Sequence, residues 1–192
     1  MPGSWMTERD LTTLESLHAS LGTRLSKYHK PELREAEEEL VDFFKRWFYY
    51  CNNVMATNVA GNEPFYDWED QVYFDLMGNI SRGEGFKEHF GAIGPYMNNA
   101  NIAFKELEIT ATAPDAVHTT QLQRFKGVAK DGRAFDFTYR LTQILRKTED
   151  SWKIVHEHLS FPVDMQTGRA NFTDSNWDMR EAYNLSKGKQ NL

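Results

Sequence analysis

The chain has a single cysteine, Cys51, no run of 18 apolar residues and no excess of basic charge. One cysteine closes no internal disulfide, which excludes a disulfide-stapled scaffold. Without a long apolar run, no transmembrane helix is expected. The first residues, MPGSWMTERD, carry neither the basic head nor the apolar core of a signal peptide. These absences predict a cytoplasmic protein with no membrane partner. The net charge is -6 and the basic residues are scattered, so nucleic acid is not an expected partner either. No P-loop, dinucleotide fingerprint, C-x-x-C pair or Ser-His-Asp order occurs. The expected chemistry therefore uses no cofactor and no metal.

Aromatic residues, by contrast, are abundant: 13 Phe, 8 Tyr and 5 Trp. They can fill a core, or they can wall a pocket for a ring-bearing ligand. Residues 7–28 place Leu11, Leu14, Leu17, Leu21 and Leu25 at helical spacing and predict a first helix. Pro31 opens a second helix, with Leu33, Ala36, Leu40, Phe43, Phe44, Trp47, Phe48 and Cys51 on one face. Cys51 thus reads as a buried, inert thiol. The acidic run Glu35, Glu37, Glu38 and Glu39 suits the positive end of that helix and reads as solvated charge.

Residues 71–77 predict a short strand, and Arg82-Gly83-Glu84-Gly85 leads into a short helix ended by Gly94-Pro95. From residue 101 four strand-like runs follow, separated by Pro114-Asp115, Lys130-Asp131-Gly132-Arg133 and Glu149-Asp150. Tight turns of this kind predict an antiparallel meander. Helices first and a meander after them predict an α+β fold, a cone-shaped α+β barrel with the N-terminal helices packed in the curved sheet. The expected division is an N-terminal helical extension at 1–30, the α+β domain at 31–164, and a polar arm at 165–192 with a helical turn near 177–183.

Turn positions fix cross-strand neighbours, because side chains alternate faces along a strand. With Asp131-Gly132 as a two-residue turn, Thr120 neighbours Gln143, Leu122 neighbours Leu141 and Arg124 neighbours Tyr139. With Glu149-Asp150 as the next, Gln143 neighbours His156 and Leu141 neighbours His158. Trp152, Ile154 and Phe137 share that face, which is taken as concave. Its polar end then holds His156, His158, Arg124, Tyr139 and Gln143. Asp136, Arg140, Ile144, Val155, Glu157 and Leu159 fall on the convex face, half apolar and suited to a homo-oligomer. A single bulge would invert part of this assignment.

The order of elements, and above all the closing segment SWKIVHEHLSFPVD, resembles the SnoaL-like branch of the nuclear-transport-factor-like superfamily. The resemblance covers residues 31–164. Its members include polyketide cyclases, ketosteroid isomerases, scytalone dehydratase and a diarylpropane lyase. It implies a cofactor-independent lyase, dehydratase or isomerase acting on a hydrophobic aromatic molecule. It also places Asp75, in VYFDLMG, at the position of the isomerases' base, although no proline follows it and Trp47 stands near their helix tyrosine.

The candidate catalytic residues are therefore His156, His158, Asp75, Tyr139 and Arg124. Imidazole titrates near neutral pH, Arg can hold an oxyanion, and Tyr can donate to a leaving hydroxyl. The bland alternatives are a hydrogen-bonded or solvated histidine pair, an Arg–Tyr contact, and Asp75 as a turn cap. The candidate substrate-binding residues are Trp47, Tyr50, Phe44, Trp68, Tyr73, Leu122, Leu141, Gln143, Thr120 and Phe137. Trp68 is a candidate lid, and His89 reads as structural. Two other functions fit the same residues: a non-catalytic carrier, or a structural small subunit of a ring-hydroxylating oxygenase.

Overall fold

In a computed structural model, residues 3–93, 100–129, 131–149 and 151–170 are described. The expected Gly94-Pro95 helix stop and the turn at 177–183 lie outside them. Among the described residues, no helix is long and apolar enough to cross a membrane.

The fold is α+β. A long helix, α2 (Arg34–Asn53), lies across a six-stranded sheet in the order β2-β1-β6-β5-β4-β3. The four long runs form β3 (Asn101–Ala113), β4 (Ala116–Val128), β5 (Ala134–Thr148) and β6 (Ser151–Ser160), an antiparallel meander as expected. The sheet is mixed, however. β1 (Val72–Phe74) joins β6 in parallel and carries β2 (Ile80–Arg82), a strand the sequence pattern does not announce. A short helix, α3 (Glu84–Ile93), follows at Gly83, where φ is +52° and a Cβ would meet the Glu69 carbonyl oxygen at 2.7 Å. Only glycine fits such a position without strain.

α2 forms where its apolar stripe predicts. Leu40, Phe44, Trp47, Phe48 and Cys51 are all buried against the sheet, with Phe48 stacked on Phe104 at 4.3 Å. The first helix is much shorter than its leucine stripe. α1 spans only Leu14–Ala19, started by a capping box between Thr13 and Ser16. Before it, Met6 bridges Phe104 of β3. Leu11, Leu14, Leu17 and Leu21 are nonetheless buried, while Leu25 is not. The stripe records burial, which here needs no continuous helix. Past Pro162, the expected extended arm begins with a small hairpin, β7 (Val163–Asp164) with β8 (Arg169–Ala170).

Two local features decide the faces of the sheet. Gly132 adopts φ +87°, and the β4–β5 connection closes between Ala129 and Arg133 instead of Lys130 and Arg133. One more loop residue shifts the register, so Gln121 faces Leu141 and Gln123 faces Tyr139. Further on, β6 pairs as expected at Leu145–Ile154, but Ile144 then faces His156 and Val155 is left unpaired. That bulge turns the rest of the strand over.

Candidate functional site

The interior of the cone is not completely filled. A cavity of about 90 Å³ lies between α2, β1, α3 and the inner face of β3–β6. That is room for several water molecules. Its apolar wall includes Trp47, Phe90, Phe125, Leu141 and Leu159, and its polar groups are Tyr66, Tyr73, Tyr139, Gln123, Asp75, His89 and Glu157.

Glu157 is the group that the bulge at Val155 brings inside. It is 3% exposed. Gln143 donates to its Oε1 at 2.6 Å, and Tyr66 provides a second hydrogen bond. Gln143 is itself held by Thr119 (3.3 Å) and by Gln121 (3.2 Å), while the Trp47 indole donates to the Tyr66 hydroxyl at 3.3 Å. Burial disfavours the charged carboxylate more than these bonds favour it, so the Glu157 pKa is pushed up to about 7. The neighbouring phenols go the same way. Burial first, and then the charges of Glu157 and other neighbours, hold Tyr66, Tyr73 and Tyr139 well above the ordinary tyrosine range. They remain protonated donors at neutral pH. The Gln123 Oε1 is buried without a hydrogen-bond partner, an acceptor available to a ligand.

Asp75 faces the cavity from the end of β1, yet it is heavily engaged. Its Oδ1 accepts from the Met77 and Asn79 backbone N–H groups, both at 2.8 Å, and its Oδ2 accepts from the Asn79 amide at 3.0 Å. His89 of α3 lies 3.3 Å from the same Oδ2. The carboxylate therefore caps a tight turn and orients His89 at the cavity wall.

The remaining candidates divide sharply. Tyr139, Tyr73, Trp47 and Leu141 line the cavity. Gln143 stands behind Glu157. Phe44 and Phe137 are fully buried in the core, and the Tyr50 hydroxyl donates to the Val59 carbonyl at 2.8 Å. Trp68 packs with tilted ring contacts against Tyr66 and Phe86, outside the lining.

Five candidates lie on the outer face, and their expected position is corrected. Arg124 forms a two-point ion pair with Asp136 there, and Thr120 and Leu122 share its side of β4. The cause is the one-residue register shift at Gly132. His156 and His158 bracket Phe74 with edge-on contacts, and the His156 Nδ1 lies 3.0 Å from the Val72 carbonyl oxygen. The cause is the bulge at Val155.

Sequence reasoning missed Glu157, Tyr66 and His89 as cavity groups. Glu157 had one readable signal. It is the only acid within the strand run WKIVHEHL.

No curated protein matches the chain in sequence. Residues 65–164 match the family model of the SnoaL-like domain, and the chain belongs to that family. Its fold is shared by an NTF2-like superfamily protein from Salmonella enterica (21% identity, TM-score 0.60, 72% of this chain and 99% of that one covered). It is shared by a protein from Novosphingobium aromaticivorans named "putative aromatic ring hydroxylase" (24%, 0.55, 70% and 92%). A "putative scytalone dehydratase" from the same organism shares it too (13%, 0.54, 67% and 83%). At these identities the likeness concerns the fold alone.

Proposed function

We propose that this SnoaL-like domain is a cofactor-independent lyase, dehydratase or isomerase that acts on a hydrophobic, aromatic small molecule by acid–base catalysis. The observation that carries the reading is Glu157, a buried carboxyl group with a pKa raised to about 7 inside an aromatic-walled cavity. A general base works best when its pKa lies near the working pH, because it is then both available and basic.

In the proposed reaction the Glu157 carboxylate takes a proton from substrate carbon or from a substrate phenol. The negative charge moves onto a substrate oxygen, where the protonated Tyr73 and Tyr139 stabilise it. For an elimination, a hydroxyl leaves and takes up the proton as water. A phenolic substrate would pass through a quinone methide. For an isomerisation, the same proton returns to another carbon. Trp47, Phe90 and Phe125 supply apolar area for the ring, and Gln123 accepts from a substrate hydroxyl.

The test is turnover of a panel of phenolic ketones and alcohols by the wild type and by Glu157→Gln. Wild-type turnover with a kcat/KM that rises through pH 7, lost in the variant, is the expected result. Equal turnover by the variant would overturn the role of Glu157. Saturable binding with no product from any substrate would favour the carrier function instead.

A further inference from the structure

Away from the cavity, four residues from separate parts of the chain converge where the N-terminal extension meets the domain. His18 lies on α1, His29 precedes α2, Glu37 is on the first turn of α2, and Glu108 is on β3. The His29 Nδ1 lies 2.9 Å and 3.0 Å from the two Glu37 carboxylate oxygens, and its Nε2 lies 3.1 Å from the Glu108 Oε1. The expectation that Glu37 is solvated charge is therefore corrected, since it is 2% exposed. The His18 and His29 ring centres are 4.8 Å apart, and the His18 Nε2 is buried with no hydrogen-bond partner. One donor atom from each of His18, His29 and Glu37 falls within 4.8 Å of the others.

We propose that His18, His29 and Glu37 bind a divalent transition-metal ion, zinc fitting best, and that Glu108 orients His29 for it. Two imidazoles on one tetrahedral ion, with Zn–N of about 2.0–2.1 Å, put their ring centres about 5 Å apart, close to the spacing present. Nitrogen-plus-carboxylate donor sets suit zinc. The Glu37 Oε1 is anchored by the Ala111 N–H at 3.0 Å, which leaves Oε2 to take the metal as a single-point ligand. His29 then binds through Nδ1, the ion replacing the proton shared with Glu37. Its Nε2–H donates to Glu108, the carboxylate–histidine–metal arrangement that fixes tautomer and ring orientation. Glu108 is in turn held by the Ser26 N–H at 2.7 Å. Water would complete the coordination. An ion here would tie the extension, α2 and β3 at one point, remote from Glu157.

The test uses the full chain, stripped with chelator and titrated with zinc chloride by calorimetry, with cobalt(II) as a spectroscopic substitute. One ion per chain, visible d–d bands of four-coordinate cobalt and a raised melting temperature are expected. Glu108→Gln should weaken zinc binding by roughly ten- to hundredfold. His18→Ala and His29→Ala should weaken it further, with circular dichroism reporting on the fold of each variant. His158→Ala should bind as the wild type does. Failure of the folded wild type to take up one zinc per chain would overturn the proposal. So would tight binding by His18→Ala, or loss of binding in His158→Ala.

Discussion

His156, Glu157 and His158 are consecutive residues of β6, and they meet opposite fates. The two imidazoles sit on the outer face around Phe74, one of them against the Val72 carbonyl. The carboxyl group between them is sealed in the cone with a pKa of about 7. By residue type alone, the histidines are the better acid–base candidates at neutral pH. The environment reverses that order, because burial moves a carboxyl group into the range that imidazole occupies in water. The face a side chain occupies thus matters more to its chemistry here than the ordinary acidity of its residue type.

That contrast can be broken most directly at Glu157. Glu157→Gln should lower kcat/KM by about 10²- to 10⁴-fold on any substrate the wild type turns over. His158→Ala should leave it unchanged. A large loss from the histidine variant would place the chemistry on the outer face.

The same carboxyl group ties stability to pH. Glu157 holds its proton more tightly folded than unfolded, its pKa rising from 4.5 to about 7. Its contribution is therefore full below pH 4.5 and is lost as pH rises through 7. A shift of that size corresponds to about 3 kcal/mol. Relative to Glu157→Gln, the wild type should lose stability by that order between pH 4.5 and pH 8, as read by urea unfolding. Parallel pH profiles would contradict the buried, titrating carboxyl group.

Tyr66→Phe gives a smaller effect with a definite sign. The Tyr66 hydrogen bond favours the Glu157 carboxylate. Its removal should move the basic rise of the pH–rate profile to higher pH and cost about 1–2 kcal/mol in stability. At the small end, His156→Ala should cost about 1 kcal/mol for the lost bond to Val72, and His158→Ala under about 0.5 kcal/mol. Equal costs for the two histidines would blur the distinction drawn between them.

Much of the architecture is legible along the chain. The aromatic stripe from Leu33 to Cys51 is a helix, and all four strand runs after residue 101 are strands of one sheet. β2 escapes because three residues, Ile80–Arg82, carry too little alternation to register. The leucines before residue 22 mark burial correctly but overstate helix length. A stripe of spaced leucines constrains which side faces the core, while the capping box at Thr13 decides where the helix starts.

The site was less legible, for a specific reason. Period-2 alternation assigns faces only if every register step is known, and one step inverts every side chain beyond it. The three-residue closure at Gly132 placed Arg124, Leu122 and Thr120 outside and Gln121 and Gln123 inside. The unpaired Val155 exchanged His156 and His158 for Glu157 and Leu159. Tyr139, Leu141 and Gln143 kept their inward face, since β5 is the strand from which both registers were counted.

The sequence by itself determined the class of the protein: an α+β domain, its aromatic helix, its meander and its SnoaL-like kinship. These follow from periodicity and composition, which are averaged over many residues and survive a local error. Only the tertiary structure decided which member of His156-Glu157-His158 meets the cavity. That choice hangs on one bulged valine, Val155, and no average over the strand contains it.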